Sequence, residues 1–131
     1  RRMANPNKAK GSGFEIIWCN YASTFVPSIE RRVTRGMNDC GDVSGLRDWT
    51  IELKATNSFS LTGLTEAERE ANQANTPWYA YGWKWARHSV HKSVMSTHTS
   101  VFCEVLEHIN DLEEENKKLR FALKMMKGGA A

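Results

Sequence analysis

The stretch from Phe102 to Met126 reads FCEVLEHINDLEEENKKLRFALKMM and decides the C-terminal part of the fold. Apolar residues recur in it at the a and d positions of a heptad repeat, a pattern typical of a coiled coil. The eight seam positions are Phe102, Val105, Ile109, Leu112, Asn116, Leu119, Leu123 and Met126. Asn116 is the polar residue among them, and a buried Asn pair favours a parallel two-stranded coil. The repeat therefore predicts a homodimer formed through the C-terminal helix.

Two other uses of this helix fit the same pattern. The stretch is short for a coiled coil, so an amphipathic helix packed on its own domain is the first alternative. A protein partner bound through the coil is the second. The acidic block 104–115 and the basic block 117–127 indicate a solvated face and identify no partner by themselves.

The composition indicates one domain with an extension. The chain has 131 residues, of which 40% are hydrophobic and 25% charged, with a net charge of +3. It has no apolar run near the roughly 18 residues that a membrane span needs, so we expect no membrane partner. The three cysteines are an odd number without regular spacing, which favours reduced thiols and a cytoplasmic or nuclear location.

The chain divides by composition into three parts. Residues 1–13 are basic and rich in Asn, Pro, Gly and Ser, which predicts a flexible basic arm. Residues 14–101 form the predicted body, and residues 102–127 the dimerisation helix. The fold class that we predict is α+β, with a small β-containing body followed by long C-terminal helices that end in a parallel dimeric coiled coil.

Three segments of the body are predicted as strands. Residues 14–26 are rich in β-formers, and residues 49–53 alternate apolar and polar side chains. Residues 58–61 are the predicted hairpin partner of the second segment.

Other segments carry helix signals. Residues 30–35 follow Pro27-Ser28 and predict a short helix, and a capping box at Thr65 predicts a helix to about Ala74. Thr76-Pro77 is a further start signal, from which one long helix, or two, would run to residue 127.

The segment 78–102 combines aromatic rings and cations without any acidic residue, a composition that suits nucleic acid. Rings stack on exposed bases, cations neutralise phosphates, and hydroxyls spaced by three or four residues form a stripe on a helix. The predicted nucleic-acid-binding residues are Arg31, Arg32, Arg35, Trp78, Trp83, Lys84, Trp85, Arg87, His88, Ser89, Lys92, Ser93, Ser96 and Ser100. The alternative is that the aromatic residues form the core and the serines allow close helix packing.

The histidines invite two further hypotheses. His88, His91 and His98 lie near one face of the predicted helix and suggest a metal site, although one straight helix cannot bring all three to a single ion. If the heptads continue upstream, the same residues occupy seam positions and protonation would loosen the dimer.

No pattern in the chain predicts catalysis. Asp39-Cys40-Gly41 places a thiol in a turn, but no family signature flanks it. We therefore expect no catalytic residue, no bound metal and no cofactor.

The basic arm, the aromatic and basic segment and the terminal coil together resemble the general build of small dimeric RNA-binding proteins, some of them viral. The function that we predict is a homodimer that binds RNA, with double-stranded RNA among the candidates. The alternative is a coiled-coil scaffold or adaptor that does not bind nucleic acid.

Overall fold

The structure is a computed structural model that describes residues 6–33 and 41–129, with the backbone alone for residues 6–9. Two compact units divide the chain, residues 1–97 and residues 98–131. The elements in chain order are α1 (Pro6–Ala22), β1 (Glu30–Arg31), β2 (Val43–Ser44), β3 (Trp49–Lys54), α2 (Thr62–Ala74), β4 (Trp78–Trp83), a 3-10 turn (Val90–Lys92), β5 (Val94–Ser96) and α3 (Thr99–Gly128). A small body with two sheets is thus followed by a long C-terminal helix, which confirms the α+β class.

The first helix replaces the strand predicted for residues 14–26. Phe14 and Trp18, one helical turn apart, are buried with Cys19, and Ala22 packs against the same cluster. Ile16 and Ile17, which carried the strand prediction, are exposed. The prediction was wrong because this helical spacing outweighs local β-propensity. Residues 6–13, predicted as part of a flexible arm, also belong to α1, and residues 1–5 lie outside the described residues.

The main sheet has the order β3-β4-β5, with β3 parallel to β4 and β4 antiparallel to β5. The strand predicted at residues 49–53 is confirmed, but both of its faces are covered. Ile51 and Leu53 join the core cluster with Phe14 of α1, and Thr50 and Glu52 are buried as well. Its partner is β4 and not residues 58–61, because α2 crosses over and returns the chain in the parallel direction.

Two helix predictions in the body were wrong and one was confirmed in outline. Residues 30–31 form β1, which pairs antiparallel with β2, where a short helix was expected. The helix predicted from Thr65 is α2, which begins at Thr62 without a side-chain cap and ends at Ala74. Residues 78–83 are strand β4, because pairing with β3 on one side and β5 on the other outweighs the Thr-Pro start signal.

The long helix α3 runs from Thr99 to Gly128 and contains the whole predicted seam. It begins after His91, so the heptads do not continue through His88 and His91, and that hypothesis was wrong. Within the described ranges, no helix combines the length and apolarity that crossing a membrane requires.

Candidate functional site

A polar cleft of about 700 Å³ lies at the carboxyl end of β3. Its walls come from α1, from the segment around β1, from Asp42 just before β2, and from the end of β3 with the loop that follows it. The charged side chains that line it are Lys10, Glu15, Arg31, Arg32, Asp42, Glu52 and Lys54. Acids and bases from four separate segments thus meet in one cleft, and this surface is called the cleft below.

Asp42 is fixed in the cleft by three hydrogen bonds. Its backbone N–H donates to the Ile51 carbonyl at 2.8 Å, and its own carbonyl accepts from the Arg32 N–H at 2.8 Å. Its carboxylate oxygen Oδ2 accepts from the Leu53 N–H at 2.7 Å. Because β3 bonds both the backbone N–H and the carboxylate of Asp42, the carboxylate is held in one position.

Glu52 and Lys54 share one face of β3, since side chains two residues apart in a strand point the same way. Lys54 Nζ lies 3.5 Å from Glu52 Oε1 and 2.6 Å from Glu66 Oε2 of α2. Burial disfavours the charged form of Lys54, but the hydrogen bond to Glu66 and the charges of Glu52 and Glu66 outweigh it and raise the pKa of Lys54. Lys54 is therefore a fixed cation at neutral pH.

The remaining bases of the cleft are held by neighbours in sequence-distant segments. Arg31 Nε donates to Glu15 Oε2 at 2.8 Å, and Arg31 also reaches the Ser12 hydroxyl at 3.3 Å. Lys10 Nζ donates to Asn57 Oδ1 at 3.0 Å, which joins α1 to the loop after β3. The cleft thus holds four cations (Lys10, Arg31, Arg32 and Lys54) against three carboxylates (Glu15, Asp42 and Glu52).

Two of the residues that line the cleft, Asp42 and Glu52, carry carboxylates, the ligand type that hard divalent cations prefer. Among the described residues, no three His, Cys, Asp or Glu side chains come together as a metal site. Mg²⁺ does not need such a cage, because it keeps several waters and binds through one or two carboxylates together with substrate phosphates. Asp42 and Glu52 supply two carboxylates in one cleft, beside Lys54.

The predicted aromatic and basic segment is not one helix but strand β4, a turn, the 3-10 turn, β5 and the start of α3. Trp78 packs against Trp49 with ring centroids 5.5 Å apart. The Trp83 indole N–H donates to the Thr56 carbonyl at 3.0 Å. Trp85 is exposed and stacks on His88. Of the three tryptophans predicted to stack on bases, Trp85 therefore presents the most open ring.

The predicted serine stripe does not form, because its residues do not share a helix. Ser89 precedes the 3-10 turn, and its hydroxyl lies 3.0 Å from His91 Nδ1. Ser93 donates to the Val90 carbonyl and Ser96 to the Tyr81 carbonyl. Ser100 belongs to α3.

The predicted cations fall into two groups. Arg31 and Arg32 line the cleft, and Arg35 lies outside the described residues. The second group belongs to the segment after β4 and consists of Lys84, Arg87 and Lys92. The cations that the sequence-based hypothesis combined in one surface therefore belong to two different segments of the fold.

The seam of α3 is exposed. Seven of its eight predicted positions are exposed in the single chain, and Val105 is half-buried. Lys117 and Glu114 form an ion pair of 3.0 Å within the helix. An apolar seam of this kind is open to a partner.

Asp42, Glu52, Lys54 and Glu15 were missed by the analysis of the sequence. One signal was available: Glu52 and Lys54 are charged residues on one face of a strand whose other residues predicted burial. Nothing local connects them to Asp42 or Glu15, which the fold brings to the same cleft. The thiol hypothesis at Cys40 lies outside the described residues, and burial raises the pKa of the Cys19 thiol to about 11, which keeps it protonated.

Comparisons of the chain with protein-family models, with curated proteins and with solved structures found no match. The function is therefore inferred from the cleft itself.

Proposed function

We propose that the protein binds nucleic acid and hydrolyses its phosphodiester bonds in the cleft with the help of a divalent metal ion. The observation that carries the proposal is that Asp42, Glu52 and Lys54 line one cleft together with Arg31 and Arg32. Two carboxylates beside a fixed ammonium group suit a metal ion and the phosphate that it binds. This proposal departs from the expectation that the chain has no catalytic site.

Each residue has a distinct role. Asp42 and Glu52 would hold the ion, and Asp42 is positioned for this by its hydrogen bond from the Leu53 N–H. Lys54 stays charged at neutral pH because its pKa is raised, so it stabilises the negative charge of the phosphate and does not act as the base. Arg31 and Arg32 bind the phosphates on either side of the one that reacts.

The reaction is a hydrolysis that needs no other reactant than water. The ion, when bound, lowers the pKa of a water molecule and neutralises charge on the phosphate. The water molecule releases one proton to solvent as its oxygen forms a bond to phosphorus, and the bond from phosphorus to the leaving oxygen breaks. That oxygen keeps the electron pair and takes up a proton from solvent, which leaves one phosphomonoester and one hydroxyl.

The second part of the proposal is a homodimer through α3. Its support is the exposed apolar seam, in which Asn116 occupies an a position. Glu115 at position g and Arg120 at the following position e would form an ion pair between the two helices of a dimer. A twofold dimer would carry two clefts, which suits a duplex or branched nucleic acid with two strands to bind. RNA, the partner favoured by the sequence, and DNA both offer this phosphate chemistry. A cytoplasmic or nuclear location belongs to the same proposal.

A cleavage assay tests the proposal. End-labelled single-stranded, double-stranded and branched DNA, and single- and double-stranded RNA, are incubated with Mg²⁺ or Mn²⁺ and in parallel with EDTA. We expect metal-dependent shortening of at least one substrate, and a rate about a hundredfold lower for Glu52→Gln. Glu30→Gln is the matched control, because Glu30 is an exposed carboxylate in β1 that does not line the cleft.

The outcomes separate the candidate functions. Equal cleavage by wild type and Glu52→Gln would contradict the assignment of the cleft. Binding without cleavage would leave the dimeric RNA-binding protein predicted from the sequence. Neither binding nor cleavage, with a dimer present, would favour the coiled-coil scaffold.

A further inference from the structure

The turn after β4 carries an exposed ring. Trp85 is 46% exposed, and its ring stacks on His88 with centroids 3.6 Å apart and planes 12° from parallel. His88 Nδ1 donates to the Ala86 carbonyl at 2.9 Å, since a carbonyl only accepts, and this bond holds the imidazole under the indole. The turn thus presents a two-ring stack, with the indole exposed to solvent.

Backbone and side-chain contacts tie this turn to the wall of the cleft. Lys84, the residue before Trp85, donates its backbone N–H to the carbonyl of Lys54 at 3.0 Å. Trp83, two residues before Trp85, donates its indole N–H to the carbonyl of Thr56, which lines the cleft. The carboxyl ends of β3 and β4 therefore bring Trp85 to the edge of the sheet that also carries Lys54.

The turn lies in a segment of the sequence that carries basic and no acidic residues. Residues 78–102 contain no Asp or Glu, and Lys84, Arg87 and Lys92 surround the stacked rings in sequence. Arg87 adopts a left-handed backbone conformation, with φ of 65°, which non-glycine residues seldom adopt and which occurs often in functional turns. An exposed indole in a segment rich in cations suits a nucleotide, because every base has a flat face to stack and a phosphate attached to its sugar.

We propose that Trp85, supported by His88, stacks an unpaired nucleobase of the strand that enters the cleft. This inference rests on the proposed function and assigns its substrate a specific feature, an unpaired base next to the phosphodiester that is cut. A fully paired duplex offers no free base face along its length, so the stack distinguishes unpaired from paired nucleic acid.

Binding measured without cleavage tests the stack. Every variant carries Glu52→Gln and is assayed in EDTA by fluorescence anisotropy, with a labelled single strand and with a labelled hairpin duplex whose loop is a non-nucleotide linker, so that all of its bases are paired. We expect Trp85→Ala to weaken single-strand binding about tenfold and to leave hairpin binding unchanged within about twofold. Trp85→Phe, which keeps a ring, should retain most of the affinity. Phe25→Ala is the control, because it removes an exposed ring that lies in the turn after α1 and not in the turn after β4.

The possible failures are distinguishable. If Glu52→Gln with Trp85 intact binds neither probe, the proposed function is contradicted and this inference falls with it. If that protein binds the single strand and Trp85→Ala binds it equally well, the stack alone is contradicted. An equal loss for the single strand and the hairpin would also overturn it, because it would indicate a general phosphate contact or a misfolded turn.

Discussion

Lys54 of β3 and Glu66 of α2 form an ion pair with 2.6 Å between Nζ and Oε2. Glu66 does not line the cleft, whereas Lys54 does. The pair therefore links the cation of the cleft to the helix that packs on β3, and Glu66 acts on the site through Lys54. The same contact contributes to the raised pKa of Lys54.

Glu66→Gln is expected to lower the pKa of Lys54, because it removes the carboxylate nearest to the ammonium group. Glu52→Gln should lower it less, since Glu52 lies 3.5 Å away. NMR titration of protein with ¹³C-labelled lysine measures both, and Glu114→Gln in α3 is the control. An unchanged Lys54 pKa in Glu66→Gln would contradict the role of this pair.

The sign of the pH dependence follows from the raised pKa. Because Lys54 has a higher pKa folded than unfolded, its ion pair stabilises the fold fully below the unfolded value of 10.5. That contribution is lost as the pH rises through the folded value, above 10.5. Urea unfolding of wild type and Lys54→Met between pH 7 and 11 should therefore give free energies that converge only at the alkaline end.

Gly63→Ala is expected to destabilise the body by about 1–3 kcal/mol. A Cβ at Gly63 would overlap the ring of Tyr81, which is buried in β4 and cannot move aside. Gly13→Ala is the matched control, because a Cβ there meets nothing within 4 Å. In the middle of α1 it should stabilise by about 0.5–1 kcal/mol. Urea unfolding followed by circular dichroism measures both, and equal effects would contradict the packing of α2 on β4.

The seam of α3 predicts a dimer that single substitutions disrupt. Leu119→Asp places a charge at a d position and should give a monomer, whereas Lys118→Glu, outside the seam, should leave the dimer intact. Asn116→Leu should change the number of chains in the assembly, because it removes the polar residue that selects two strands. Light scattering gives the mass of each variant. A wild-type monomer would contradict the dimer.

Elements with strong local periodicity were predictable from the sequence. The strand at residues 49–53, the end of α2 at Ala74 and the helix through residues 102–126 all follow from patterns within about ten residues. Strand β4 did not, because its pairing with β3 depends on a residue 29 positions earlier, as in Trp49 opposite Trp78. The signal from Thr76-Pro77 was local and was overridden by this contact.

The cleft was harder to predict than the fold. Glu52 and Lys54 lie two residues apart in one strand, but Asp42, Arg31 and Glu15 come to the same cleft from other segments of the chain. The unusual composition of the aromatic segment predicted a nucleic-acid-binding surface, and Trp85 is part of the surface that we propose. The serines of the same segment were assigned to a helix that does not exist, and their stripe was lost with it.

A titration with Mn²⁺ tests whether Asp42 and Glu52 bind a metal ion. Mn²⁺ is titrated into the wild-type protein, into Asp42→Asn with Glu52→Gln, and into Glu30→Gln, and free Mn²⁺ is followed by electron paramagnetic resonance. We expect one saturable class of Mn²⁺ site per chain in the wild type and in Glu30→Gln. In the double variant we expect the affinity for Mn²⁺ to be at least about tenfold weaker. Equal Mn²⁺ affinity in all three proteins, with the fold intact by circular dichroism, would contradict the assignment of Asp42 and Glu52 as the metal-binding carboxylates.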